Sequence, residues 1–330
     1  MPCFNHAAFV EQAIRSVLAQ TYPHIELIVI DGGSTDGSVE LIRRYADRIA
    51  HLVSERDDGQ ADAINKGLRL ATGTVLAWLN SDDLYFPDAV EKAVAGLGDA
   101  GLVYGDAVCV DERGVFARYF TEVEPFDRWR LVNCGDFIMQ PTAFFTRETW
   151  EQAGPLDPTL RWCLDWDLWC RLSRVAPVRY VPEMLAANRE HGTTKTTTGG
   201  AARLAEVRQM HRRHGTTWWP HAWCSYAAKQ AKLDGRRVAH ALWSLAGWRN
   251  VLHARADRQP IGGVHHGDHR CGDTLRLAFP WQGEPGQLRV TLHTPDGPVE
   301  HTCAIAPPAA EMRIAIDRHP TYLAHVTVTE

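Results

Sequence analysis

Residues 73–83 read Gly-Thr-Val-Leu-Ala-Trp-Leu-Asn-Ser-Asp-Asp, an apolar run of strand length that ends in the adjacent carboxylates Asp82 and Asp83. A buried strand seldom ends on two negative charges, because taking either one out of water costs several kcal/mol unless a cation or hydrogen-bond donors compensate. A divalent cation is the simplest compensation, since Mg2+ and Mn2+ favour carboxylate oxygens and often bridge to phosphates. The stretch therefore predicts a metal and phosphate site at the end of a strand.

Short apolar runs alternate with helical patterns through the first 200 residues. We predict helices over 9–18, 38–47, 61–70, 87–97, 147–153 and 165–175, and strands over 25–30, 51–54, 74–79, 102–110, 115–120, 142–145 and 178–181. This alternation is typical of an α/β fold with a mostly parallel mixed sheet flanked by helices, in which ligands bind at the carboxyl ends of strands. Asp31 and the Asp82–Asp83 pair both lie at such ends.

The net charge of −5 over 330 residues conceals an asymmetry. Residues 203–258 hold 11 Lys and Arg against three Asp and Glu, so this segment carries +8 and the remainder −13. That distribution argues against a general nucleic-acid binder and leaves room for one local basic surface. We predict an α/β domain over 1–200, a basic, Trp-rich helical extension over 201–258 and a small β-rich region over 259–330.

The cysteine spacing and the hydropathy indicate the cellular compartment. The eight cysteines show no C-x-x-C pair or metal-finger spacing, which predicts reduced thiols in a cytosolic protein. No run of 18 apolar residues and no signal peptide is apparent. We therefore expect a cytoplasmic protein. The basic extension either rests on the anionic face of a membrane or packs against the first domain, and both alternatives stay open.

Seven short segments carry a resemblance to a known family. In chain order they are Pro-Cys-Phe-Asn-His-Ala at 2–7, Ser-Val-Leu-Ala-Gln-Thr-Tyr-Pro at 16–23, Ile-Asp-Gly-Gly-Ser-Thr-Asp-Gly-Ser at 30–38, Ser-Glu-Arg-Asp-Asp-Gly-Gln at 54–60, Ala-Ile-Asn-Lys-Gly at 63–67, Ala-Thr-Gly at 71–73 and Asn-Ser-Asp-Asp at 80–83. In this order and spacing they resemble the family 2 inverting glycosyltransferases, which have a GT-A fold and use a nucleoside diphosphate sugar. The resemblance extends over about residues 2–197.

The resemblance implies a nucleotide-binding role for several residues. Asp31 would accept hydrogen bonds from the base or ribose, with a helix cap as the alternative, and Phe4 would stack on the base. Glu55, Asp57 and Lys66 match positions of sugar-nucleotide contacts, although a solvated surface explains them equally well. The resemblance also implies a buried strand before Pro2, where this sequence has only Met1. We therefore expect that the start codon is assigned too late, and the alternative is a central sheet that lacks one strand.

Metal and catalytic roles follow from the same resemblance. Asp82 matches the metal-binding aspartate, with Asn80 and Asp83 beside it, and His191 would join the metal or the diphosphate, so Mg2+ or Mn2+ is the expected cofactor. Asp165, in Trp162-Cys163-Leu164-Asp165-Trp166-Asp167-Leu168-Trp169, matches the catalytic base at the start of a helix, with an N-cap as the alternative. Among the tryptophans we expect Trp169 in the core and one of the other two against a sugar.

The resemblance thus implies an inverting transfer from a nucleoside diphosphate sugar, with UDP favoured, to a carbohydrate or lipid-linked hydroxyl acceptor in cell-surface polysaccharide or glycolipid synthesis. Two alternatives remain. A nucleotidyltransferase of sugar phosphates would need a basic Gly-rich loop, which is missing near the first strand. A non-catalytic glycan or nucleotide-sugar binding module is disfavoured by the presence of both Asp82 and Asp165.

Overall fold

The computed structural model describes residues 1–192, 194–195, 199–218 and 221–233, together with five strands between 274 and 329. The α-helices are α1 Val10–Leu18, α2 Ser38–Arg43, α3 Gln60–Leu70, α4 Ala89–Leu97, α5 Arg128–Cys134, α6 Arg147–Ala153, α7 Leu164–Val175, α8 Gly200–His214 and α9 His221–Leu233. The strands are β1 Pro2–Cys3, β2 Ile28–Asp31, β3 His51–Ser54, β4 Val75–Leu76, β5 Leu84–Tyr85, β6 Leu102–Val110, β7 Phe116–Tyr119, β8 Phe144–Thr146, β9 Val178–Arg189, β10 Thr274–Pro280, β11 Gly286–Thr294, β12 Gly297–Ile305, β13 Ala309–Ala315 and β14 Leu323–Thr329.

Strands β1, β2 and β3 form a parallel sheet in that order. Cys3 pairs with Asp31, and Asp31 pairs with Ser54, so the carboxyl ends of the three strands meet at one edge. All four residues of β2 are buried, as expected for a strand covered on both faces. α1 buries Val10, Ala13, Ile14 and Val17, which recur at helical spacing and form its core-facing stripe.

A second sheet of six strands has the order β4-β8-β6-β9-β5, with β7 added beside β6. Its described ladders β4–β8, β6–β8 and β5–β9 are antiparallel. The fold is therefore an α/β arrangement of mixed sheets flanked by helices, and parallel pairing is described for β1–β3. The alternation of strands and helices predicts the α/β class correctly, but it does not report the direction in which distant strands pair.

Several element bounds differ from those predicted. The strand predicted over 74–79 is paired only at Val75–Leu76, because the carbonyl of Trp78 accepts from the Gln140 amide at 2.8 Å instead of joining a ladder. β9 extends to Arg189 instead of ending at 181, and Pro87 precedes the N-cap Asp88 instead of lying in the first turn of α4. The helix predicted over 38–47 ends at Arg43 and is followed by a separate 3-10 turn. Neither α5 nor β5 was predicted.

The hydrophobic core of the α/β part of the chain is rich in aromatic side chains. Trp169 is fully buried and stacks on Trp78 with ring centroids 5.3 Å apart, which confirms the prediction that Trp169 belongs to the core. Trp166 is also buried, and its indole nitrogen donates to the Leu131 carbonyl at 2.8 Å. This hydrogen bond holds the first turn of α7 against α5.

Contacts divide the chain into one compact unit of residues 1–109 and 118–247 and a second of 110–117 and 248–330. In the second unit β10 pairs with β13, and β11 pairs with both β12 and β14, all antiparallel. In the first unit α8 and α9 represent the predicted basic extension, whose remainder lies outside the described residues. Where the chain is described, no helix has both the length and the apolar character that crossing a membrane requires.

Candidate active site

A cleft of about 1080 Å³ opens at the carboxyl ends of the parallel strands. Asp82 and Asp165, which the sequence assigns to two separate acidic centres, both line it. Of the other predicted site residues, the lining includes Phe4, Asp57, Asn80, Asp83 and His191. The fold therefore brings these side chains, which come from distant parts of the chain, to one cavity.

Asp31 is fully buried at the end of β2. Its Oδ2 accepts from the Gly33 and Ser34 amides at 3.0 and 3.1 Å and from the Ser54 hydroxyl at 2.8 Å. Its Oδ1 is buried and has no hydrogen-bond partner among the described residues. Because a buried carboxylate oxygen is costly to leave without a donor, Asp31 is suited to accept a hydrogen bond from a ligand.

The loop after β1 is held against the loop after β2 by Asn5. The side-chain Oδ1 of Asn5 accepts from the backbone amide of Thr35 at 2.9 Å, and the backbone amide of Asn5 donates to the Ser34 hydroxyl at 2.8 Å. Asn5 has φ of 54°, a left-handed conformation that asparagine tolerates better than most residues. This turn leaves Phe4 58% exposed at the cleft and places His6 inside it.

The three sugar-nucleotide contacts predicted in and after the acidic loop before α3 do not all lie in the cleft. Asp57 lines the cleft beside Gly32, where an added Cβ would lie only 2.6 Å from Asp57 Oδ2. Glu55 and Lys66 are not part of the cleft lining; the Lys66 ammonium pairs with Glu55 at 3.0 Å and with Asp62 at 3.2 Å. Sugar-nucleotide contacts of Glu55 and Lys66 stay a prediction to which the structure adds no support.

His6, Asp82 and His191 form a cluster in which one ligand atom from each side chain lies within 4.8 Å of the others. His191 Nε2 is 3.0 Å from Asp82 Oδ2, and His6 Nδ1 is 2.8 Å from the Ser81 hydroxyl. Burial opposes the charge of Asp82, but the hydrogen bond from His191 and the proximity of His6 lower its pKa below the usual value. A carboxylate kept ionised beside two imidazoles fits a divalent cation.

Asp83 has different partners from Asp82. Its Oδ1 accepts from the backbone amide of Arg189 at 2.9 Å, and its Oδ2 accepts from the side-chain amide of Asn80 at 3.1 Å. Burial, followed by the neighbouring charge of Asp82, raises the pKa of Asp83 well above its usual value. These bonds join the end of β9 to the turn before β5 that carries Asp82, so Asp83 has a structural role. A metal contact by Asp83 stays a prediction.

Asp165 is the second residue of α7, after the N-cap Cys163, and is half-buried where it lines the cleft. Its Oδ1 accepts from the Trp166 amide at 2.8 Å, and burial raises its pKa. Asp136, in the loop after α5, lines the same cleft. Burial, and then the charge of Asp165, raises the pKa of Asp136 well above its usual value. This part of the cleft thus holds two neighbouring carboxyl groups whose pKa values are both raised.

Lys195 lines the same cleft, close enough to both acidic centres to interact with their charges. Its ammonium donates to the Gln60 side chain and to the Arg161 carbonyl. Burial and the nearby Arg161 lower its pKa, while the charges of Asp165 and Asp82 act in the opposite direction. A buried cation that senses both carboxylates is well placed to meet an anionic ligand.

The helical extension also reaches the cleft. Arg203 and Leu204 of α8 and Tyr226 of α9 are part of its lining, and the Arg203 guanidinium lies 4.9 Å from the centroid of the Tyr226 ring. Of the three tryptophans around α7, only Trp162 lines the cleft. Sequence reasoning did not identify His6, Asp136, Arg203 or Tyr226. His6 lies within the quoted segment 2–7 and carried a weak signal there, whereas the other three lie in no motif.

Comparisons with known proteins agree on one family. The family described as Glycosyl transferase family 2 matches residues 1–152. A PGL/p-HBAD biosynthesis glycosyltransferase of Mycobacterium tuberculosis is 31% identical over 206 residues, covering 60% of this chain and 78% of that protein. An uncharacterized glycosyltransferase of Rickettsia conorii is 30% identical over 207 residues, covering 58% of this chain, and the chain spans 33% of that protein.

Solved structures share the fold. S. aureus TarS 1–349 in complex with UDP-GlcNAc superposes with a TM-score of 0.55 at 14% identity, covering 74% of each chain. The same protein in complex with UDP gives a TM-score of 0.51 at 14% identity, covering 69% of this chain and 68% of that one. At these identities the likeness establishes the GT-A-like fold.

We expect His6→Ala to weaken binding of Mn2+ about 10-fold or more, because it removes one of three clustered ligand atoms. Isothermal titration of the full chain with MnCl2 measures the affinity. His24→Ala, which removes an exposed histidine, should bind Mn2+ as the wild type does. Equal affinities of the two variants would contradict a role for His6 in the cluster.

Proposed function

Because the chain belongs to glycosyltransferase family 2, we propose that it transfers a sugar from a nucleoside diphosphate sugar to an acceptor hydroxyl with inversion at the anomeric carbon. The observation that carries this proposal is the presence of Asp82 and Asp165 in one cleft. An inverting transfer has two requirements at a distance from each other, namely charge stabilisation at the leaving diphosphate and proton removal at the attacking hydroxyl.

The nucleotide would occupy the part of the cleft lined by Phe4 and Gly32, next to the buried Asp31, which is not itself part of the lining. Phe4 offers an exposed aromatic face for stacking on a base, and Asp31 Oδ1 offers a buried acceptor without a partner among the described residues. Asp57, across from Gly32, would contact the ribose or sugar. We favour UDP as the nucleotide, in keeping with the TarS structures of this fold that hold UDP and UDP-GlcNAc.

His6, Asp82 and His191 would hold a divalent cation beside the diphosphate. The mixed nitrogen and oxygen ligands favour Mn2+ over Mg2+, which prefers oxygen. When bound, such an ion neutralises negative charge on the diphosphate. Lys195 would add a second positive charge to the same group, since it senses both Asp82 and Asp165.

Asp165 would act as the general base. As the acceptor oxygen forms a bond to the anomeric carbon, its proton passes to the Asp165 carboxylate, while the bond from that carbon to the diphosphate oxygen breaks. A positioned base typically contributes ~100- to 10,000-fold to the rate. A raised pKa suits this role, because a stronger base is more effective as long as it remains ionised.

The acceptor would enter at the end lined by Trp162, Arg203 and Tyr226. Aromatic rings favour the C–H faces of sugars, and the guanidinium can donate hydrogen bonds to hydroxyl or phosphate oxygens. We propose a carbohydrate or lipid-linked acceptor of cell-surface polysaccharide or glycolipid synthesis.

To test the function, UDP- and GDP-sugars are incubated with the full chain and Mn2+, and nucleoside diphosphate release is measured. We expect release with at least one UDP-sugar and its loss by at least about 100-fold in Asp165→Asn, with UDP affinity retained. Asp47→Asn, at an exposed site, is the matched control. Retained turnover in Asp165→Asn, or an α-linked product from an α-linked donor, would contradict the proposal.

The pH dependence should reflect the environment of Asp165. Since the base must be ionised, we expect kcat/KM to fall as pH decreases through the raised pKa of Asp165. The positive charge of Arg203 lowers that pKa, so Arg203→Gln should raise it further and move the acid limb to higher pH. A pH profile of kcat/KM measures this, and an unchanged limb would contradict the electrostatic effect of Arg203 on Asp165.

We also propose that the basic extension makes peripheral contact with an anionic membrane. Trp218 is 89% exposed, and Arg208 and Arg212 are exposed on α8. We expect the full chain to cosediment with phosphatidylserine vesicles and not with phosphatidylcholine vesicles. Binding should weaken in about 1 M salt, where the screening length falls to ~3 Å. Equal partitioning to both vesicles would exclude the electrostatic contact.

A further inference from the structure

Glu206 of α8 contacts the loop that leads into α7. Its Oε1 accepts a hydrogen bond from the Arg161 amide at 2.8 Å, and its Oε2 accepts from the amides of Trp162 at 2.7 Å and Cys163 at 3.1 Å. Because α7 begins at Leu164, these three amides immediately precede the helix. One carboxylate from another helix therefore holds the N-terminal end of α7.

The sequence of α7 does not provide this function itself. Its N-cap residue is Cys163, which makes no side-chain capping bond, and a thiol is a weak hydrogen-bond acceptor. Helix N-termini need acceptors and favour negative charge there, because the first amides have no partner within the helix. Glu206 supplies a negative charge at this end from outside the helix. It accepts from the N-cap amide of Cys163 and from the two amides before it, through charge-assisted bonds that are stronger than neutral ones.

Asp165 follows the last of these amides by two residues. The position of its carboxylate in the cleft depends on where the loop 161–163 is held, since the first turn of α7 continues directly from that loop. Trp162, which lines the cleft, is held by the same carboxylate. We propose that Glu206 is a positioning residue that keeps Asp165 in the geometry for proton transfer, an inference that rests on the function proposed above.

Glu206 lies near the middle of α8, and this helix is itself fixed at its C-terminal end. His214 Nε2 lies 2.8 Å from the buried Oδ1 of Asp167 on α7, and the Arg213 guanidinium lies 2.6 Å from Asp157 Oδ2. The middle and the C-terminal end of α8 thus hold two points of the chain on either side of Asp165. Glu206 lies beyond residues 1–152, to which the family match extends.

The test uses Glu206→Ala and Glu206→Gln in the full chain, with Mn2+ and the UDP- or GDP-sugar that gives turnover in the screen. For Glu206→Ala we expect kcat to fall about 10- to 100-fold, as small misplacements of a reacting group do. KM for the donor and the Kd of UDP should stay within about twofold, because the nucleotide end is unaltered. Glu206→Gln retains one acceptor oxygen and should rescue part of kcat.

Amide hydrogen exchange gives a readout that does not need turnover. Exchange at residues 161–163 should accelerate in Glu206→Ala and remain unchanged in Glu151→Ala, which removes an exposed glutamate of α6. Unaltered kcat in Glu206→Ala, or an equal loss of kcat and of UDP binding, would overturn the positioning role. If Glu206→Ala does not fold, the partial loss of kcat in Glu206→Gln decides. Absence of turnover in the wild type would instead overturn the proposed function, and the exchange data would still report the contact.

Discussion

The cost of removing carboxylates from water governs the organisation of this cleft. Asp31 lies at the end of β2, and Asp82 and Asp83 lie in the turn before β5 instead of at the end of the strand predicted over 74–79. All three are largely removed from water, where an uncompensated charge is expensive. Each is compensated differently: Asp31 by two amides and a hydroxyl, Asp83 by Arg189 and Asn80, and Asp82 by histidines. The oxygens that remain for a ligand are those that the protein itself does not satisfy.

The two acidic centres are distinguished by their partners. Asp82 has its pKa lowered by a histidine, whereas Asp165 has its pKa raised by burial and shares its end of the cleft with Asp136. The first arrangement keeps a carboxylate ionised, as the proposed cation site requires, and the second raises the basicity of a carboxylate, as the proposed general base requires. Environments that shift the pKa values of two carboxyl groups in opposite directions are a means of assigning them opposite tasks.

Local sequence patterns predicted many elements well. The bounds of β3, β6 and α6 agree with the sequence prediction, because an apolar run or a helical spacing is a property of a few consecutive residues. β4 was overestimated and β5 missed, since each has only two paired residues whose partners lie in distant β8 and β9. α5 is as long as α6 but was missed, because its buried residues Leu131, Val132 and Asn133 are consecutive and show no helical period.

Local patterns in the chain established that Asp31 ends a strand and that Asp165 lies in the first turn of a helix, and the resemblance implied tasks for Phe4, Asp31, Asp82 and Asp165. The partners of these side chains appear only in the folded chain: His6 and His191 for Asp82, Asp136 for Asp165, and Glu206 for the loop before α7. Backbone periodicity is a property of neighbouring residues, whereas desolvation, charge coupling and hydrogen bonding depend on distances between residues that are far apart in the chain.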